Sequence, residues 1–236
     1  MRIIATLVLV CFVISAESQE TTPDEQAVIK ADQMFEAIGG KKKWASLKSL
    51  YIKAVHTQPN LTEPYTSEIW RSIDGFKIRI EQKSDEFHKV GMFSDEGVWI
   101  RDLKAGTVKQ LDEDRLTDEK RQNELNVYVL LNRIARNESY KPKLNGQRLE
   151  FYLNEEFQTA FILDEYSRPS IFITKSKDGL KEFVSFFNKW GTTNGFIHSA
   201  GGGPVDGNFF YSTEIWQPSE LIFEEAFDVA FSTDTE

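Results

Sequence analysis

The chain reads as an α+β protein, mostly antiparallel β: a strongly curved sheet of about eleven strands wrapped over two helices. Three observations predict this. Apolar residues recur at helical spacing in only two stretches, one near the start and one in the middle. From Ser49 onward the dominant period is two. Tight-turn dipeptides such as Asp74-Gly75 and Asp178-Gly179 separate successive strand-like runs, which makes neighbours in sequence neighbours in the sheet.

The first helix is marked at both ends. Thr22 can cap, Pro23 suits the first helical position, and Glu25 stands three residues after the cap. Ala27, Ala31, Met34, Phe35 and Ile38 form one apolar face, and Gly39-Gly40 stops the helix. Residues 41–47 add a short turn of helix with Trp44 and Leu47 on its apolar side. A strand around Tyr51 to Val55 follows, then hairpins over 66–73 with 76–82 and over 86–93 with 97–103. In the segment from Phe76, the residues Phe76, Ile78 and Ile80 alternate with Lys77, Arg79 and Glu81, as a half-buried strand requires. A strand near 107–111 ends this meander.

Residues 117–136 read as one helix, with Leu125, Val129, Leu130 and Ile134 toward the sheet and acidic residues ahead of it. Strands resume near residue 140. The pairs are 147–154 with 157–164, 170–176 with 180–187, and 194–199 with 207–216. The last pair flanks residues 200–206, which contain Gly201-Gly202-Gly203 and read as a flexible hairpin loop. Residues 221–231 read as a last strand. No linker rich in Pro, Gly or Ser divides the chain, so residues 19–236 are expected to form one domain.

Residues 1–18 stand apart. Arg2 precedes an apolar run over residues 3–14, shorter than the about 20 residues of a membrane span. Ala16-Glu17-Ser18 places small residues where signal peptidase cuts, so a signal peptide and a periplasmic or secreted mature protein are expected. Cys11 is the only cysteine and lies in that segment, which leaves the mature chain without a disulfide.

Charge and motifs exclude several classes. A net charge of −9 argues against nucleic acid and against anionic headgroups bound by overall charge alone. His56, His88 and His198 lie in different segments with no ligand spacing, so no metal is expected. No serine sits in a GxSxG elbow, and the triple glycine lacks the Lys-Ser/Thr and the helix of a phosphate loop. Asp112-Glu113-Asp114 lacks the glycine and the closing glutamate of a calcium loop. No catalytic residue and no cofactor are expected.

One family shares this pattern. The opening helix into Ala37-Ile38-Gly39-Gly40, then Trp44 and Leu47-Lys48-Ser49-Leu50, resembles the start of LolA-like domains, the lipoprotein-carrier-like superfamily of Gram-negative bacteria. Glu68-Ile69-Trp70-Arg71 with Asp74-Gly75-Phe76-Lys77-Ile78-Arg79 is similar to their first hairpin. Gly97-Val98-Trp99, the step from Phe161-Ile162-Leu163-Asp164 to Arg168-Pro169, and Phe187-Asn188-Lys189-Trp190 with Gly195-Phe196-Ile197 are similar to later strands and turns. The resemblance implies an exported protein with an open half-barrel closed by helices over a hydrophobic cavity. It implies a non-enzymatic role in binding a lipid or other apolar ligand, of the kind used in outer-membrane lipoprotein sorting.

In that setting Phe76, Ile78, Ile80, Phe151, Leu153, Phe161, Leu163, Ile171 and Ile173 are expected to line the concave side, with Trp70 and Trp99 at its mouth. The competing expectation is that these side chains are ordinary core. Two other functions compete: an envelope module that binds a protein through an edge strand or residues 200–206, and a hydrolase with a triad assembled in space. Peripheral contact with a membrane is compatible with the first reading.

Overall fold

The computed structural model describes residues 22–219. The expected signal segment with Cys11 and the expected strand at 221–231 lie outside the described residues. Two helices open the described chain, α1 (Pro23–Ala37) and α2 (Lys41–Ala45). A first meander follows: β1 (Ser49–Thr57), β2 (Tyr65–Ser72), β3 (Lys77–Lys83), β4 (His88–Ser94), β5 (Gly97–Asp102) and β6 (Thr107–Gln110). Then come α3 (Glu113–Glu124) and α4 (Val127–Arg136). A second meander runs through β7 (Lys141–Asn145), β8 (Arg148–Leu153), β9 (Glu156–Leu163), β10 (Pro169–Lys175), β11 (Glu182–Thr193), β12 (Phe196–Pro204) and β13 (Phe210–Pro218).

All thirteen strands form one antiparallel sheet in the order β6-β5-β4-β3-β2-β1-β13-β12-β11-β10-β9-β8-β7. The two meanders are joined where β1 pairs with β13. The sheet does not close: β6 and β7 are its two edges. It curves enough that Ile73, at the end of β2, and Leu153, at the end of β8, line one cleft although six strands separate them in the sheet. Because the chain leaves at one edge and re-enters at the other, α3 and α4 must carry it across.

Thr22 and Glu25 cap α1 reciprocally, with Thr22 N–H donating to Glu25 Oε2 (2.8 Å) and Glu25 N–H to Thr22 Oγ1 (3.3 Å). Ala27, Ala31, Met34 and Phe35 are its buried face, and Ile38 just beyond is 1% exposed. Gly39 follows at φ 106°, where a Cβ would collide with the carbonyl oxygen of Gly195. That close approach lets Ile197 N–H reach the Ile38 carbonyl (3.0 Å).

Three expectations need correction. The described residues hold thirteen strands and four helices, against about eleven and two. The single helix expected over 117–136 is two, because Asn126 turns its side chain back to accept from Tyr128 N–H (3.1 Å) and starts a new helix. Residues 200–204 are not loop but the second half of β12. There Gly201 pairs with Ser212 and Gly202 with Tyr211, while β11 bulges at Asn188 on the other side. A Cβ at Gly202 would strike the Phe186 carbonyl oxygen, so the glycines allow a close strand approach rather than a flexible tip.

Candidate functional site

Residues directly opposite each other in an antiparallel pair share a face. Three cross-strand rows on the helix-facing side of the first meander can therefore be traced. The first runs Leu50–Arg71–Ile78–Phe93–Val98. Leu50, Ile78 and Val98 in it are buried at 1, 4 and 0%. The second runs Ile52–Ile69–Ile80–Gly91–Ile100. All four of its isoleucines are only half-buried, and the Phe93 ring leans over Gly91, within 2.7 Å of where a Cβ would stand. The third runs Ala54–Ser67–Gln82–Lys89–Asp102 and turns polar toward the β6 edge. An apolar strip thus lies between a buried row and a polar one, and joins the core where Ile52 stands opposite Trp216.

The sequence-derived lining residues divide between the two faces. Phe151 and Phe161 are in the core at 1 and 0% exposure, and Leu153 and Leu163 pack against it. Phe76 and Ile78 are buried, and Ile80 belongs to the isoleucine row. Trp70 and Trp99 lie on the opposite face. They belong to the row Tyr51–Trp70–Arg79–Met92–Trp99, in which the Arg79 guanidinium sits 4.5 Å from the Trp70 ring. Ile171 and Ile173 are also on the far face, because Phe172 between them is the core residue, paired with Phe161. Sequence reasoning passed over Ile52, Ile69 and Ile100. Ile69 and Ile100 adjoin the tryptophans that drew attention, and a shift of one residue exchanges faces.

The centre of the expected cavity is filled by aromatic rings. Trp44 from α2 stacks on Tyr128 from α4 (6.2 Å between centroids) and meets Phe196 edge-on (5.2 Å). Trp216 lies between them and carries His198 stacked on its other side at 4.5 Å. The remaining hollow between helices and sheet, near Ile38, Leu131, Phe187 and Trp190, has a volume of about 20 Å³, room for a water molecule and no ligand. Larger spaces lie around it: about 200 Å³ between α1, α4 and β7–β8, lined by Phe35, Ile134 and Phe151, and about 450 Å³ beside α4, lined by Ile73, Asn132 and Leu153. A cleft of about 640 Å³ runs between the α3–α4 corner and the end of β9 and β10, walled by Arg121, Arg133, Lys175 and Phe157.

Three solved structures superpose on most of this chain. A putative outer membrane lipoprotein-sorting protein domain from Vibrio parahaemolyticus superposes with a TM-score of 0.48 at 11% identity, over 87% of this chain and 97% of that one. A LolA superfamily protein from Nitrosomonas europaea gives 0.44 at 11% identity, over 86% and 98%. A DUF1329 family protein from Desulfovibrio piger gives 0.48 at 11% identity, over 84% and 92%. No family model and no curated protein matches the chain. At such identity and TM-scores the likeness carries no argument about a ligand.

The two covering helices are held differently. Asn132 of α4 is 1% exposed, and its amide donates to the carbonyls of Trp44 (2.8 Å) and Leu47 (2.9 Å). Seven of the ten α4 residues are buried. In α3 only Asn123 is buried, and its carbonyl accepts from the Arg71 guanidinium in the row beside the isoleucines. Removal from water pushes Arg71 down to about 10. An ion pair between Lys120 and Asp95 (2.8 Å) fixes the middle of α3. α4 is thus a packed element, whereas α3 is a polar helix held mainly by polar contacts, among them Glu124 with Arg133 (3.9 Å).

The histidines give no hydrolytic site. His56 Nε2 and Ser67 Oγ share a hydrogen bond of 2.6 Å, but Ser67 is 1% exposed and His56 Nδ1 has no partner. Among the described residues no carboxylate orients that imidazole, and the Ser67 hydroxyl is buried. Burial beneath Tyr65 pushes His56 down to about 4, and burial also lowers His198. His88 bonds Glu81 (2.8 Å) on the far face of the sheet. Among the described residues no three His, Cys, Asp or Glu side chains converge, and no helix is long and apolar enough to cross a membrane.

Proposed function

We propose that this protein is a non-enzymatic binder of an amphiphile with an extended apolar chain, exported and acting in the cell envelope. The observation that supports the reading is the half-buried isoleucine row, bounded by a buried row and a polar row. The apolar chain lies along Ile52, Ile69, Ile80 and Ile100, and the polar end points toward Gln82 and Lys89. Binding this way leaves the aromatic core intact.

Protein purified from its native host is extracted with organic solvent and analysed by mass spectrometry, and a fluorescent fatty-acid probe is titrated into the stripped protein. A bound lipid and saturable probe binding are expected, with affinity reduced about tenfold or more by Ile69→Asp or Ile80→Asp. Empty extracts with no probe binding, or Asp variants that bind as the parent does, would end the proposal.

A second reading has one observation in its favour. The edge strand β6 is exposed at all four residues, and Val108 is 57% exposed, so a partner strand could add there. Crosslinking in the native host tests it: recovery of a partner that Val108→Pro abolishes supports it, and recovery of none discards it.

A further inference from the structure

Arg71 is a cation on the helix-facing side of the sheet with no carboxylate against it. It stands in β2 opposite Leu50 and Ile78, both buried. Its guanidinium donates to the side-chain carbonyl of Asn123, a neutral partner. Among the described residues no carboxylate pairs with it. Arg79, Arg148 and Arg168, by contrast, each sit on one at 2.6, 2.8 and 2.8 Å. Glu119 is the acid whose charge reaches Arg71, and Arg115 holds that carboxylate at 3.1 Å. Burial lowers Arg71 only to about 10, so it is charged at neutral pH.

The polar groups around this charge are mostly donors. The guanidinium has further N–H groups beyond the one given to Asn123. Asn123 accepts through Oδ1, which leaves its Nδ2 to donate. Tyr128 of α4 brings a phenol near enough that the Arg71 charge opposes the upward push of burial on it. The buried N–H of Trp216 adjoins that phenol without forming a hydrogen bond of ordinary geometry. A charge taken from water among surplus donors is costly until an acceptor joins it. Arg71 is nevertheless half-buried and not sealed, so space adjoins the guanidinium.

We infer that Arg71, Asn123 and Tyr128 form a receptor for a carboxylate group. The flat guanidinium fork matches the two oxygens of a carboxylate, and the amide and phenol supply donors for the lone pairs that remain. One guanidinium balances one negative charge. A phosphate or sulfate dianion would bring a second among Leu50, Ile69 and Ile78 with nothing to offset it. The site lies two cross-strand rows from Gln82 and Lys89, so it is a second polar station on this face. It does not rest on the reading of the isoleucine row, because a short acid fills it without touching that row.

The unfolding midpoint of the full chain is followed at neutral pH and constant ionic strength against acetate, hexanoate, hexanol, chloride and sulfate. A saturable rise with the two carboxylates only is expected. Similar affinities for acetate and hexanoate assign the site to a short acid, and hexanoate bound about tenfold tighter assigns it to the end of an apolar chain. Arg71→Met should abolish the rise. Arg71→Lys, which keeps the charge but not the fork, and Tyr128→Phe should each weaken affinity several-fold, and they decide the matter if Arg71→Met does not fold. Arg79→Met, on the outer face, should leave the carboxylate affinity unchanged. No rise, an equal rise with chloride, sulfate or hexanol, or parental affinity in both Arg71 variants overturns the inference. Loss of the acetate effect with fatty-acid probe binding intact, or the reverse, separates this result from the fate of the ligand reading.

Discussion

The two wings of the sheet use similar residues to different ends. In the wing from β7 to β13, Leu149, Phe151, Phe161 and Phe172 point inward against α1, α2 and α4 and are sealed, at 0, 1, 0 and 9% exposure. In the wing from β1 to β6, the isoleucine row points the same way yet stays half-exposed, and the helix tied to the neighbouring row at Arg71, α3, is polar. That wing also buries Val90 and Met92 on its outer face, at 4 and 3%, among Trp70, Arg79 and Trp99. One wing is the anchor of the fold, and the other carries apolar surface beyond what the fold consumes. Surplus apolar area in a half-covered wing is where binding is to be sought.

Stability should divide along the same line. Phe161→Ala opens a hole in the sealed wing and is expected to cost about 3–5 kcal/mol, read by chemical denaturation. Ile80→Ala, half-buried, should cost only about 1 kcal/mol. Equal losses at the two sites would erase the distinction between the wings.

Acid tests the wings through their histidines. His56 in β1 is held neutral down to about pH 4 among Tyr65, Ser67, Phe209 and Tyr211. The unfolded chain takes up that proton near pH 6.5. Unfolding therefore gains protons as pH falls from 6.5 toward 4, and stability drops across that window, by up to about 2–3 kcal/mol for this group. Above pH 6.5 it contributes no pH dependence. His198, whose value burial also lowers, adds a loss of the same sign from the sealed wing. The carboxylates with lowered values, such as Glu81 and Asp164, act lower, as the pH passes below their unfolded values near 4. His56→Gln should flatten the slope between pH 6.5 and 4.5, and an unchanged slope would show that His56 is not buried as described.

Asn132→Ala probes the cover of the sealed wing. It takes the shared donor from the carbonyls of Trp44 and Leu47 and should cost about 1–3 kcal/mol. Hydrogen exchange in α2 should rise with it. Exchange in α3 should be fast already and unaffected, since Asn123 is the one buried residue of that helix.

Much of this was legible in the residues. The capping box of α1, the Gly-Gly stop and the hairpin dipeptides fix elements locally, and each was placed to within a few residues. What misled was parity. In Ile171-Phe172-Ile173 every residue is apolar, so alternation gives no sign of which faces inward, and the answer comes from pairing with Phe161. At Ile69-Trp70 and Trp99-Ile100 the large rings read as ligand contacts, yet they lie on the outer face. The filled interior was not legible either. Whether Trp44, Tyr128, Phe196 and Trp216 leave space depends on ring angles that no spacing encodes. The triple glycine read as a loop because its reason is a bulge at Asn188, which only the strand pairing reveals.

The smallest expected effect on stability is also the sharpest test of the isoleucine row. Gly91 stands in its middle, and the Phe93 ring occupies the place of the missing side chain. Its backbone is ordinary extended strand, so Ala is allowed there and gains about 0.5–1 kcal/mol from the stiffer unfolded chain. Displacing the end of a half-buried ring costs about the same, and the net change in stability should be near zero. The surface changes nonetheless, because the ring must swing off Gly91 into the strip. If an apolar chain lies along Ile69, Ile80 and Ile100, Gly91→Ala should weaken the fatty-acid probe several-fold while leaving the denaturation midpoint in place. Unaltered affinity would mean that the ligand does not cross this wing at Gly91, and the available surface would have to be sought elsewhere, first in the 640 Å³ cleft beside Phe157.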